Sequence, residues 1–260
     1  MAAEVIEMFR RQWTTYRRVV DHDLMEHRGL TAALAAAIDG WLAERDPDAP
    51  PPHLMDLGSG DLGLLPPLLR RLPLASFTAL DLNGAVLPLA AESLGPVPYP
   101  CRFVEGDLLG WAEADGPPVD LVISGFAVHH LQEAEKERFL RGCRRRLAPG
   151  GLLLWADVFR PAGESREAYV ARYCQRVHGW TPLEADRQEE VIAHLSAWDH
   201  PADRATIEQV AAAAGWQWRW LWQGSHDAEA LAALRPLAAA NGDYDSGCSA
   251  MTPSLAPGLV

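Results

Sequence analysis

Apolar residues recur at helical spacing over Val5–Val20 and again over Leu30–Leu42, with the polar stretch Asp21–Arg28 between them. Two helices are therefore expected at 1–45, ahead of the main body. Past the proline-rich Asp46–Pro52 the pattern changes to short apolar runs bounded by glycine, proline and aspartate. His53–Asp56, Ser76–Asp81, Arg102–Glu105, Val119–Ser124 and Leu152–Phe159 read as strands, while Leu62–Leu72, Gly84–Leu94 and Glu133–Leu147 keep a helical period. Strands alternating with helices predict an α/β fold, a parallel sheet with helices on both faces. Pro149-Gly150-Gly151 is expected to stop a helix and start the next strand. After the fifth strand, Glu164–Trp198 predicts a long helical insertion (163–200), a common way to build a substrate-facing wall. A helix over Ala205–Ala214 and a strand over Trp216–Gln223 follow, and Glu229–Arg235 reads as either a last strand or a short helix. From Ala238 onward glycine, serine, asparagine and proline dominate, so 238–260 is expected to be a loosely held tail.

Composition narrows the class. The 260 residues suit one large α/β domain (52–237) with added helices. No apolar stretch approaches the roughly 20 residues that span a bilayer, and the Met1–Glu4 start does not read as a secretion signal. The expected setting is the cytosol, with no membrane partner. A net charge of −12 argues against a protein whose task is gripping a nucleic-acid backbone. The basic run Arg144–Arg146 closes a helix, where cations favour the carbonyl end. Lys136 is the only lysine, which leaves little for Schiff-base chemistry. Cys101, Cys143, Cys174 and Cys248 form no CxxC pair, so reduced thiols and no metal site are expected. The partner expected is a small-molecule substrate, and monomer and homodimer are equally compatible with the sequence.

Chemistry concentrates where strands end. His53-Leu54-Met55-Asp56-Leu57-Gly58-Ser59-Gly60-Asp61 runs from a strand into a glycine turn, where open α/β sheets bind nucleotides. Asp81, about 20 residues beyond, ends the second strand, placed to accept hydrogen bonds from both hydroxyls of a ribose. Asp107 follows the third strand, where an adenine amino group could donate to it. A dinucleotide would prefer a third glycine under its pyrophosphate. Here Leu62 and Gly63 stand near that place, and the charge of Asp61 would oppose a diphosphate.

Across Leu54–Phe159 the chain resembles the class I S-adenosylmethionine-dependent methyltransferases of the small-molecule branch. The resemblance implies a Rossmann-like, seven-stranded, mostly parallel sheet with N-terminal lid helices. It implies S-adenosylmethionine as cofactor and S-adenosylhomocysteine as product. Asp56, Gly58, Ser59 and Gly60 would line the methionine part, Asp81 the ribose with Leu82 on the adenine, and Asp107 and Leu108 the adenine edge. Ser124 and Phe126, in the fourth-strand motif Asp120–Phe126, would pass near the sulfonium. The function implied is methyl transfer to an N, O or C nucleophile of a small molecule. Methylation of tRNA or protein, and cofactor binding without catalysis, are the alternatives.

Candidates for acceptor chemistry lie just beyond the fourth strand and outside the matched stretch. Of His129 and His130, one reading packs a ring at the start of the next helix; the other gives the acceptor a base, and the resemblance implies His129 first. Tyr16, in Trp13-Thr14-Thr15-Tyr16, resembles part of a lid helix that would cover the cofactor or the acceptor, or else it is a half-buried ring. His22 and His27 fall in the break between the first two helices, with His27 a candidate for substrate binding. Arg166, Tyr169, Arg172 and Tyr173 share a helix face that would suit an anionic or aromatic acceptor. Trp198-Asp199-His200-Pro201 is a candidate wall. Trp216, Trp218, Trp220 and Trp222 alternate with period two and are expected on one strand face.

Overall fold

The computed structural model describes residues 13–237. Helical residues 13–21 (α1) precede α2 (His27–Glu44), and residues 5–12 of the first expected helix lie outside the described part, as do the expected tail and Cys248. Then come β1 (His53–Leu57), α3 (Pro66–Leu69), β2 (Ser76–Asp81), α4 (Leu87–Leu94), β3 (Cys101–Glu105), α5 (Leu108–Glu113) and β4 (Val119–Gly125). A 3-10 turn at Val128–His130 leads into α6 (Glu133–Arg146), β5 (Leu147–Arg160), α7 (Arg166–His178) and α8 (Ala185–Trp198). The two-residue β6 (Ala202–Asp203), α9 (Arg204–Ala213), β7 (Trp216–Gln223) and β8 (Glu229–Pro236) complete the fold.

The sheet runs β3-β2-β1-β4-β5-β8-β7, with β6 paired to the end of β5. Strands β1 to β5 are parallel, and β8 enters antiparallel between β5 and β7. The expected sheet is thus present on a seven-stranded path, and β6 brings the strand count to eight. Alternation sorts the core into two layers. Leu54, Phe77, Leu121, Ile123, Leu152 and Leu154 pack with Leu30, Leu34, Ile38 and Trp41 of α2 on one face. Met55, Val122, Leu153 and Trp155 pack with Phe139 and Leu140 of α6 and Ile207 of α9 on the other. A third cluster joins Val19 of α1 to Tyr169, Tyr173, Val177, Trp180 and Leu195 of the insertion.

Several expectations change. The helix over Leu62–Leu72 shrinks to the four residues of α3, because Leu62 (φ 70°) and Gly63 (φ 51°) turn left-handed and Pro66 and Pro67 supply no amide. Pro149-Gly150-Gly151 lies within β5 as a register irregularity against β4 rather than ahead of the strand. The stretch Glu164–Trp198 is two helices, broken at 179–184. Glu229–Arg235 is a strand, fully central. A bulge between Trp220 and Trp222 reverses the alternation of β7. Trp216, Trp218 and Trp220 keep one face, and Trp222 crosses to the layer beneath α2, where a Cβ on Gly29 would lie 3.1 Å from its ring.

Candidate active site

Because β1 and β4 are neighbours whose onward connections run to opposite sides, a crevice opens at their carboxyl ends. It holds a chamber of about 520 Å³ lined by the glycine turn, Asp56, Asp81, Leu82, Asp107, Leu108, Phe126 and the α1–α2 side chains Tyr16 and His27. The turn after β1 takes left-handed backbone at Gly58 (φ 76°) and Gly60 (φ 51°). A Cβ on Gly58 would stand 2.3 Å from that of Ala127, so only glycine fits there. Gly60 donates its amide to Asp81 Oδ2 at 2.8 Å, and Asn83 donates to Oδ1 at 2.8 Å. The Asp81 carboxylate is thereby aimed from the end of β2 across the turn.

Two polar groups beside the glycine turn lack partners. Asp56 Oδ2 and Ser59 Oγ are buried with no hydrogen bond in the protein. Burial, and then the charge of Asp81, push the Asp56 carboxyl up to about 7. Buried polar atoms are nearly always satisfied, so such a pair marks a place for a ligand's polar end. Leu82 stands 73% exposed at the rim, an apolar surface ready for a flat ring. Asp107 caps α5, its Oδ2 accepting from Gly110 N at 2.8 Å, and lines the chamber wall.

Residues 55–153 match the family model described as a methyltransferase domain. Over that stretch the chain is similar to methyltransferase domains. Over 127 residues it is 36% identical to the malonyl-[acyl-carrier protein] O-methyltransferase of Dechloromonas aromatica, covering 49% of this chain and 44% of that one. The match spans about half the length of the curated relatives. Among solved structures, an O-methyltransferase family protein from Burkholderia thailandensis superposes with a TM-score of 0.57 at 18% identity, over 84% of this chain and 58% of that one. The structure of a DhpI–SAH complex gives 0.54 at 18%, over 88% and 96%. At that identity the two show a shared fold.

The sheet and its helices meet the insertion at a second chamber of about 640 Å³. Tyr16, His27, Phe126 and His130 line both chambers and form the seam. The second is walled by Val19, Met25, Val158, Tyr169, Tyr173, Trp180, Leu195 and Trp198, with His129, His130, His194 and Asp199 at one end. His27 has both ring nitrogens buried and unpartnered, and burial pushes it down to about 4, so the ring is neutral. Phe126 adopts φ 50° at the end of β4 and brings its ring 4.9 Å from that of His27. Tyr16 is 39% exposed, yet its phenol faces the chamber, where burial and Asp61 raise its pKa.

His129 is fixed by an acid that sequence reading passed over. Asp157, near the carboxyl end of β5, accepts from His129 Nδ1 at 2.6 Å, from His129 N at 3.0 Å and from Trp155 Nε1 at 2.9 Å. Burial opposes the Asp157 charge, but the His129 ring and these donors hold the carboxyl below its ordinary range. Burial likewise opposes a charged His129, and Asp157 with Asp199 raises it on balance. With Nδ1 committed to Asp157, Nε2 is the nitrogen left for the chamber. The signal was a lone acid in the apolar run Leu152–Phe159.

Other sequence candidates fall elsewhere. Ser124 is fully buried and donates to Leu57 O at 2.8 Å, joining β4 to β1, so it lines neither chamber. Arg172 pairs with Glu164 at 3.0 Å and donates to His226 O, and Arg166 donates to Asp199 O and Ser196 O. Both arginines therefore brace the insertion, and only the tyrosines of that face reach the chamber. Tyr173 donates to the buried Glu229 at 2.8 Å. His22 is exposed. Asp61 does not project charge at a ligand: it is buried, paired to Arg17 at 3.2 Å, and accepts from Trp13 Nε1 at 3.1 Å, clasping α1 to the glycine turn. No helix among the described residues is long and apolar enough to cross a membrane.

Proposed function

We propose that the chain transfers a methyl group from S-adenosylmethionine, held in the first chamber, to a small-molecule acceptor in the second. The observation that carries this reading is the pair of unpartnered buried groups, Asp56 Oδ2 and Ser59 Oγ, beside an Asp81 carboxylate already aimed by two backbone amides. When bound, the cofactor supplies an electrophilic methyl on a positively charged sulfur. Asp56, Ser59 and the amides of the glycine turn receive its amino-acid end, Asp81 its ribose hydroxyls, and Leu82, Asp107 and Leu108 its base. Phe126, at the seam, covers the side from which the acceptor comes.

Displacement at a methyl carbon needs alignment more than covalent help, and holding nucleophile and methyl about 3 Å apart provides much of the acceleration. The tyrosine and tryptophan walls favour an acceptor with an apolar body, and the histidine-lined end favours a polar head that carries the nucleophile. His129 and His130 hold that head, and Tyr16 closes the seam over it. The acidic chain and the aromatic-walled second chamber fit a small acceptor better than a polyanion.

The test is incubation with S-adenosylmethionine labelled in its methyl group, together with a small-metabolite extract, tRNA and bulk protein. Label moving into the low-mass fraction is expected. Label in tRNA or protein would overturn the choice of acceptor, and cofactor binding with no transfer in any fraction would leave a non-catalytic binder.

A further inference from the structure

At the polar end of the second chamber one carboxylate oxygen is surrounded by imidazole nitrogens. Asp199 Oδ1 lies 3.5 Å from His130 Nδ1, 3.6 Å from His129 Nε2 and 3.9 Å from His194 Nε2. These separations exceed a hydrogen bond, and Oδ1 has no hydrogen-bond partner although Asp199 is only 8% exposed. An unpaired carboxylate oxygen buried among three rings is costly unless something sits between them. Ligands about 2.05 Å from a shared tetrahedral ion stand roughly 3.3 Å apart. The observed distances are a few tenths of an ångström longer. The ligand atoms of His129, His130 and Asp199 all lie within 4.8 Å of one another.

We propose that His129 Nε2, His130 Nδ1 and Asp199 Oδ1, with His194 Nε2 as a fourth donor from α8, bind a divalent first-row transition metal. Three imidazoles and one carboxylate suit zinc, cobalt or iron better than magnesium or calcium. The surroundings supply what a metal histidine needs behind it. Asp157 takes the Nδ1 proton of His129 at 2.6 Å, which fixes the ring and turns Nε2 to the ion. The chain segment that carries Asp199 is anchored to the histidine turn. His200 N donates to His129 O at 2.7 Å, and the buried Lys136 donates to both Leu131 O and His200 O. The donors come from three places in the chain, the 3-10 turn, α8 and the segment after it, so the fold assembles them.

His130 and His194 are about half exposed at the side chain, which leaves the ion an approach from the chamber. With methyl transfer as the activity, on which this part of the proposal rests, the ion would take an oxygen of the acceptor. That narrows the acceptor to a molecule whose polar head has a hydroxyl or carboxylate donor.

The experiment uses the full chain, untagged and stripped with a chelator, and titrates it with cobalt(II) and with zinc(II). Metal per chain is measured after dialysis, and the visible ligand-field bands of bound cobalt are followed. One ion per chain is expected, with cobalt bands of a four- or five-coordinate site. Asp199→Asn and His130→Ala should abolish stoichiometric uptake, and Asp157→Asn should weaken it roughly 10- to 100-fold. His194→Ala, a change at a half-exposed side chain, keeps the test informative if a buried variant fails to fold, and should also weaken uptake. Less than one ion per chain on the parent at excess metal, or uptake unchanged in Asp199→Asn and His194→Ala, overturns the site. S-adenosylhomocysteine binding is measured on the same samples. Metal uptake without cofactor binding would sink the methyl-transfer reading alone, and cofactor binding without uptake would sink the metal site alone.

Discussion

Asp56 has a carboxyl that the folded chain protonates near neutrality, because burial and the nearby Asp81 push it up to about 7. Its folded value lies above the ordinary one near 4, so its contribution to stability is greatest below about pH 4 and is lost as pH rises towards 7. A ligand that brings an ammonium group favours the ionised form. Affinity for S-adenosylhomocysteine should therefore rise with pH up to about 7 and then level, with proton release on binding near pH 6. Calorimetry in two buffers of different ionisation enthalpy measures that release, and its absence would remove Asp56 from the methionine end. Gly58 allows a steric prediction: Gly58→Ala meets Ala127 at 2.3 Å with φ 76°, and should cost about 1–3 kcal/mol in thermal unfolding and weaken cofactor binding. Gly60→Ala has open space and only the left-handed backbone against it, so about 1 kcal/mol is expected. The glycine turn and Asp81 were legible because strand-end position alone assigns them a task. Asp157 was not assigned one and Asp199 was expected only within a candidate wall, since an acid acquires its role there from partners 28 and 70 residues away in sequence.

Elements carry these residues into place, and Lys136 shows how. Fully buried in α6, it ties the Leu131 and His200 carbonyls together. Lys136→Met should leave both unpaired, cost about 1–3 kcal/mol in chemical denaturation and loosen Asp199 from the histidine turn. An unchanged midpoint would mean that the segment is held otherwise. The helical period of Glu133–Leu147 predicted α6 well, but nothing in the period marks its one lysine as buried. Period failed where local backbone overrides it. Leu62 occupies a left-handed position with its side chain buried, so an apolar pattern that reads as a helix delivers a turn. The bulge before Trp222 works the same way, since one extra residue moves every later side chain to the other face. β8, rich in alanine and leucine, was ambiguous because its place between β5 and β7 is decided by tertiary burial.

At the scale of the whole molecule, the sheet builds one chamber and the inserted helices build another, and four side chains serve both. The first was readable from sequence because each of its parts follows a strand of the parallel core. The second draws on α1, α7, α8 and the 3-10 turn, whose mutual placement no local pattern encodes, and Arg172, expected there, turned out to brace the insertion instead. A ligand that binds only the folded chain raises its melting temperature in proportion to the logarithm of its concentration. S-adenosylhomocysteine should do so for the parent and much less for Asp81→Ala. The most direct test of the first chamber is isothermal calorimetry of S-adenosylhomocysteine with the parent protein and with Asp81→Ala. One site per chain on the parent, weakened by roughly 10-fold or more in the variant, is the predicted result; no binding to the parent, or equal binding to both, would contradict it.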